Sequence, residues 1–163
     1  MPDTSPALAA SAGPAPAQPE RKCATAFKLR APLLDQGRSD TTVARTDNMV
    51  ARLKVYASGG ENALHTHPDE DHMFLILAGS ARFYDETGAT TDVVKNSGIM
   101  LPAGAYYRFE ATSTEPLVLM RVGCRSGKPG GPGRMGIDGQ PLAGDSKENK
   151  QGPVIVREGA WFE

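Results

Sequence analysis

The chain is poor in cysteine, in histidine and in long apolar runs. Its 163 residues include only two cysteines, Cys23 and Cys124, far apart and without CxxC spacing. That excludes a disulfide framework or a zinc finger and fits a reducing compartment. Neither sign of charge is in excess: 18 Lys and Arg stand against 19 Asp and Glu. The chain therefore lacks the basic footprint of a nucleic-acid or anionic-membrane binder. The longest apolar runs, such as Met73–Ala78, fall far short of the ~20 residues that span a bilayer. The opening stretch, MPDTSPALAASAGPAPAQPE, has no basic n-region and no apolar h-region. A signal peptide is not expected, and the expected location is cytoplasmic.

Glycine and proline, by contrast, are abundant, at 18 and 13 residues, which favours turns over long helices. Residues 1–22 are Ala/Pro-rich and predict a disordered tail. Between Ala24 and Asp47 the segment APLLDQG predicts an added strand or a short helix. From Met49 to Cys124 the pattern is β throughout. Strands are predicted at Met49–Ala57, His72–Leu77, Ala81–Tyr84, Thr91–Val94, Gly98–Leu101, Tyr106–Thr112 and Leu117–Val122, separated by turns such as SGGEN, DETGAT and KNSG. The fold class is all-β: a small antiparallel β-barrel or jelly roll over residues 23–124. Residues 125–163 form an irregular C-terminal extension. Its PVIVREGAWFE end predicts a short strand, with Trp161 and Phe162 docking back on the barrel.

Alternation puts His72, Phe74 and Ile76 on one side of their strand and Met73, Leu75 and Leu77 on the other. With both faces apolar, the outer one needs a cover, either the N-terminal segment or a second subunit in a homodimer. Arg52, Lys54 and Tyr56 share one face of the first strand, opposite Ala51, Leu53 and Val55. That face either looks inward, as a cationic lining for a carboxylate substrate, or outward into solvent.

All three histidines, His65, His67 and His72, lie in the window HTHPDEDH. Two residues apart on a strand, His65 and His67 point to the same side, and the PDED turn returns the chain with His72 at the head of the next strand. Three converging imidazoles suit one divalent transition metal: Fe(II), Zn, Ni, Cu or Mn. The acids of the turn read as a solvated run or as the source of a carboxylate that orients an imidazole.

With Gly59, His65, His67, His72 and Gly79 in this spacing, the sequence resembles the first motif of the cupin superfamily, G(X)5HXH(X)3-4E(X)6G. His72 stands where most cupins place glutamate. NSGIMLPAGAYYRFEA resembles the second motif: Pro102 and Gly104 match, while Asn96, Tyr107 and Ala111 replace a glycine, the fourth ligand histidine and an asparagine. The resemblance spans roughly Met49 to Val122. It implies His65, His67 and His72 as metal ligands, with Tyr107 near the fourth position as a proton donor or an occasional ligand. Arg52, Phe74, Tyr107 and Arg121 are the candidate substrate contacts. A neutral three-histidine site resembles cupin-type Fe(II) dioxygenases acting on a small molecule. Zn, Ni or Mn isomerases, lyases and decarboxylases, and non-catalytic sensing cupins, are the alternatives, since one fold hosts many activities.

Overall fold

The structure is a computed structural model that describes residues 23–125, 131, 133–144 and 152–163. The Ala/Pro-rich tail over residues 1–22 and the turn-rich stretches 126–130 and 145–151 lie outside the described residues. Twelve strands follow in chain order: β1 (Ala31–Gln36), β2 (Arg38–Arg45), β3 (Met49–Tyr56), β4 (His65–Thr66), β5 (Glu70–Ala78), β6 (Ser80–Tyr84), β7 (Thr90–Val94), β8 (Gly98–Leu101), β9 (Tyr106–Ala111), β10 (Leu117–Arg125), β11 (Met135–Gly136) and β12 (Ile155–Phe162). Every pairing is antiparallel. Two five-stranded sheets, β2-β3-β10-β5-β8 and β11-β4-β9-β6-β7, form an all-β jelly roll, and β1-β12 makes a third, two-stranded sheet.

The interior between the two large sheets is apolar at one end. Tyr56, Phe74, Ile76, Phe83, Phe109 and Leu119 pack there, with Phe74 and Phe109 edge to face at 5.7 Å and Phe83 stacked on Phe109 at 4.9 Å. Such aromatic pairs add to plain burial. A second core lies outside the barrel. Ala31 and Leu34 of β1 cover Leu53, Val55 and Val118, with Leu77 and Phe162 against them. The apolar outer faces of β3, β5 and β10 are thus covered by the chain's own first and last strands. Cover ends toward Met73 and Met100, which are 37% and 60% exposed.

The APLLDQG segment is a strand, and the strand after it, β2, which pairs with β3, is one that periodicity alone does not reveal. RSDTTVAR is half-exposed along its length, as suits the edge of a sheet. The β7–β8 turn explains one departure from the second motif. Asn96 adopts φ 64°, the left-handed conformation that glycine takes most easily and that asparagine tolerates best of the other residues. Asparagine therefore stands in for glycine without breaking the turn. At Gly79, with φ 74°, a Cβ would also lie 2.6 Å from the Ser113 hydroxyl oxygen, so the β5–β6 connection admits no side chain.

Leu34 is fully buried and joins β1 to the outer face of the barrel. Leu34→Ala is expected to lower unfolding free energy by about 2–5 kcal/mol, measured by urea denaturation.

Candidate metal centre

The centre is assembled by four neighbouring strands. β4 supplies His65, β5 supplies Glu70 and His72, β9 supplies Tyr107, and β10 supplies Arg121. His67 follows β4 directly, its carbonyl accepting from the Gly104 amide at 3.0 Å. β5 begins at Glu70, two residues earlier than its apolar pattern predicts, because its pairing with β10 runs on to Arg125 opposite Glu70. Glu70 and His72, two apart on that strand, therefore look inward together. Asp71 points the other way, and its Oδ1 accepts the Ala103 amide at 2.7 Å.

His67, Glu70 and His72 each offer one donor atom, all within 4.8 Å of one another. Glu70 Oε2 lies 3.5 Å from His72 Nε2 and 4.0 Å from His67 Nδ1. The cluster differs from a three-imidazole set in taking Glu70, which brings a negative charge that the sequence-level set lacks. His65 sits at its flank, with its ring 5.2 Å from that of His67. His65 Nδ1 donates to the Ala63 carbonyl at 2.7 Å, which fixes Nε2 as the lone-pair nitrogen. That Nε2 is buried without a hydrogen-bond partner. A lone pair left bare on a locked imidazole beside two further imidazoles and a carboxylate fits a divalent cation.

Tyr107 is buried, with its oxygen 3.0 Å from His72 Nδ1. His72 Nε2 meets the Arg121 guanidinium, whose N–H groups only donate. Nε2 is therefore the lone-pair nitrogen, and Nδ1 carries the proton and donates it to the Tyr107 oxygen. This geometry makes Tyr107 an orienter of His72. Arg121 also donates to Glu70 Oε1 at 2.9 Å, so its guanidinium engages two of the three donor residues at once. A Cβ at position 123 would overlap the Glu70 carboxylate, so only glycine there leaves room for this contact.

Protonation follows burial. His65 is held down to about 3, by burial first and then by the nearby Arg134 charge. His67 is held far below the ordinary imidazole range by burial and by its neighbouring imidazoles. Burial lowers His72 as well, against the opposing pull of Glu70. For Glu70, burial pushes the carboxyl up, but its polar neighbours His72 and Arg121 outweigh it and hold it below its usual range. Burial raises the Tyr107 phenol above its ordinary value. At neutral pH the imidazoles are uncharged, Glu70 is ionised and Tyr107 keeps its proton, which is the state a metal-binding set requires.

The cluster opens into a cavity of about 290 Å³. Of the four candidate substrate contacts, all line it: Arg52, Phe74, Tyr107 and Arg121. The Arg52–Lys54–Tyr56 face looks into this space, not into solvent. Arg134, near the start of the C-terminal extension, lines it too. No sequence pattern marks Arg134; only the pairing of β11 with β4 places it there.

Comparison with known proteins agrees with this fold. Residues 52–123 match the family model described as Cupin domain. A double-stranded β-helix protein from Klebsiella pneumoniae superposes with a TM-score of 0.51 at 19% identity, over 55% of this chain and 73% of that one. The Cnp3 cupin domain of Schizosaccharomyces pombe gives 0.52 at 18%, over 57% and 68%. A cupin superfamily protein from Desulfitobacterium hafniense gives 0.50 at 18%, over 56% and 81%. No curated protein matches the sequence. The fold and the residue cluster define a jelly-roll barrel with a potential metal centre, and the match to the cupin domain spans residues 52–123 of it.

Two outcomes are expected. Glu70→Gln and His67→Ala each lower divalent-metal affinity at least about tenfold by titration calorimetry; unchanged affinity in Glu70→Gln would remove the carboxylate from the ligand set. In metal-free protein, unfolded His65 binds a proton below ~6.5 that the folded protein refuses until pH falls to about 3. Stability therefore falls as pH drops through that window, by up to ~1.4 kcal/mol per pH unit for each such histidine. Urea denaturation across pH should show a shallower slope for His65→Gln.

Proposed function

We propose that the protein is a metal-dependent enzyme acting on a small organic molecule in the barrel, with dioxygenase-like Fe(II) chemistry as the best-supported form. The observation that carries this reading is the His67–Glu70–His72 cluster opening directly onto the 290 Å³ cavity. Two imidazoles and one carboxylate are the donor set of non-haem Fe(II) oxygenases, and His65 is a fourth nitrogen at its edge. One Fe(II) bound there would supply oxygen activation; Zn, Ni or Mn in its place would polarise a carbonyl. The chain's residues do the rest. Tyr107 fixes the His72 tautomer and keeps its own proton facing the cavity. Phe74 and Phe109 keep that wall dry, and Arg121 neutralises Glu70 until a cation takes its place.

A second reading rests on that last contact. Because the Arg121 guanidinium already engages Glu70 and His72, the same pocket suits a metal-free cupin that binds or senses a small molecule without turning it over. The test is oxygen uptake by protein reconstituted anaerobically with Fe(II) and then given air and a panel of diketones and phenolic acids. Substrate-dependent uptake that is lost in His67→Ala is the expected result. Thermal stabilisation by one panel member, with no uptake under any metal, would replace the enzyme by the binding module.

A further inference from the structure

The cavity beside His67 carries more positive charge than its own acids neutralise. Five cationic side chains line it, Arg52, Lys54, Arg121, Arg125 and Arg134, against two acids, Asp40 and Glu70. Both acids are engaged. Asp40 takes Arg52 at 3.1 Å and Lys54 at 3.2 Å, and Glu70 takes Arg121 at 2.9 Å. Among the described residues, no acid pairs with Arg134.

Donors lining the same cavity lack acceptors. Arg134 Nη1, Arg52 Nε and the Tyr56 hydroxyl are all buried with no hydrogen-bond partner. A buried donor without an acceptor forfeits its hydration for nothing in return, so such groups are rare unless something fills the gap. Their placement is directional. Arg134 directly precedes β11, whose Met135 pairs with Thr66 and Gly136 with His65, so that ladder brings Arg134 level with His67. The rest of the lining includes Phe74 and Phe109, which suit an apolar body better than an inorganic ion. At about 290 Å³ the space admits a small organic acid.

We propose that this cavity binds a small organic carboxylate, gripped by Arg134 in fork geometry and by the Arg52–Lys54–Tyr56 wall. The body of the ligand then lies over Phe74, with the ligand beside the His67–Glu70–His72 cluster that lines the same cavity. The orientation rests on the enzyme reading above; the grip on the carboxylate does not, because it needs no metal. Arginine is suited to this task by its planar pair of N–H donors, which meets both carboxylate oxygens at once.

The experiment is titration calorimetry on metal-free protein with succinate, benzoate and phenylacetate as probes, and with benzamide and inorganic phosphate as controls. At least one carboxylate is expected to bind while benzamide does not. Arg134→Met should weaken that binding about tenfold or more, Arg134→Lys should restore part of it, and Arg157→Met, on the surface against Asp35, should change nothing. Lys54→Met serves as the second variant should Arg134→Met fail to fold by circular dichroism, and a loss of similar direction is expected from it. The proposal is overturned if no carboxylate binds, if benzamide binds as well as benzoate, if the variants bind like the wild type, or if phosphate outcompetes every carboxylate. Because these titrations contain no metal, their failure leaves the oxygen-uptake test standing, and the reverse also holds.

Discussion

The register between β5 and β10 governs both the core and the site. It sets Ile76 opposite Leu119, Phe74 opposite Arg121, and His72 opposite Gly123. Along this one pair of strands the interior passes from hydrocarbon to a buried ion pair within a few residues. A slip of one residue would send Glu70, His72 and Phe74 to the outer face together. The contact between Glu70 and Arg121 is costly to form, because both groups leave water, and costlier to break from one side, because the remaining charge stays buried alone. Glycine at position 123 is what lets the carboxylate and the guanidinium meet.

The apolar half of this design is written plainly in the sequence. Alternation in His72–Leu77 groups His72, Phe74 and Ile76 on one face, short runs between turn residues identify the jelly roll, and the HXH pair marks the centre. Glu70 is harder to see, since PDED reads as a turn and only the long partner strand β10 draws it into β5. The inward direction of Arg52, Lys54 and Tyr56 is hidden for a different reason. Alternation shows which residues share a face, but β3 is covered on both sides, so neither face declares itself as solvent. β2, β4 and β11 are invisible to periodicity because one is a polar edge and the others are two residues long.

Electrostatically the barrel is lopsided. Around one cavity, uncharged imidazoles flank an ionised carboxylate, while guanidinium and ammonium groups outnumber the acids. The aromatic floor of Phe74 and Phe109 lowers the local dielectric and so strengthens both sets of interactions. Tyr107 stands at the join, its oxygen accepting from His72 while its ring packs against Phe74 at 5.5 Å. A single side chain thus ties the orientation of one donor imidazole to the packing of the core.

The two-stranded sheet on the outside of the barrel has a consequence for the order of assembly. Among the described strands β1 pairs along its length only with β12, so an early strand waits for a much later one. Until Ile155–Phe162 has been synthesised, Leu53, Val55 and Val118 present a bare apolar surface on an otherwise completed barrel. Pairing across so much of the chain is slow by the entropy of loop closure. An apolar face left open for that interval is the kind of surface through which a partly folded chain aggregates.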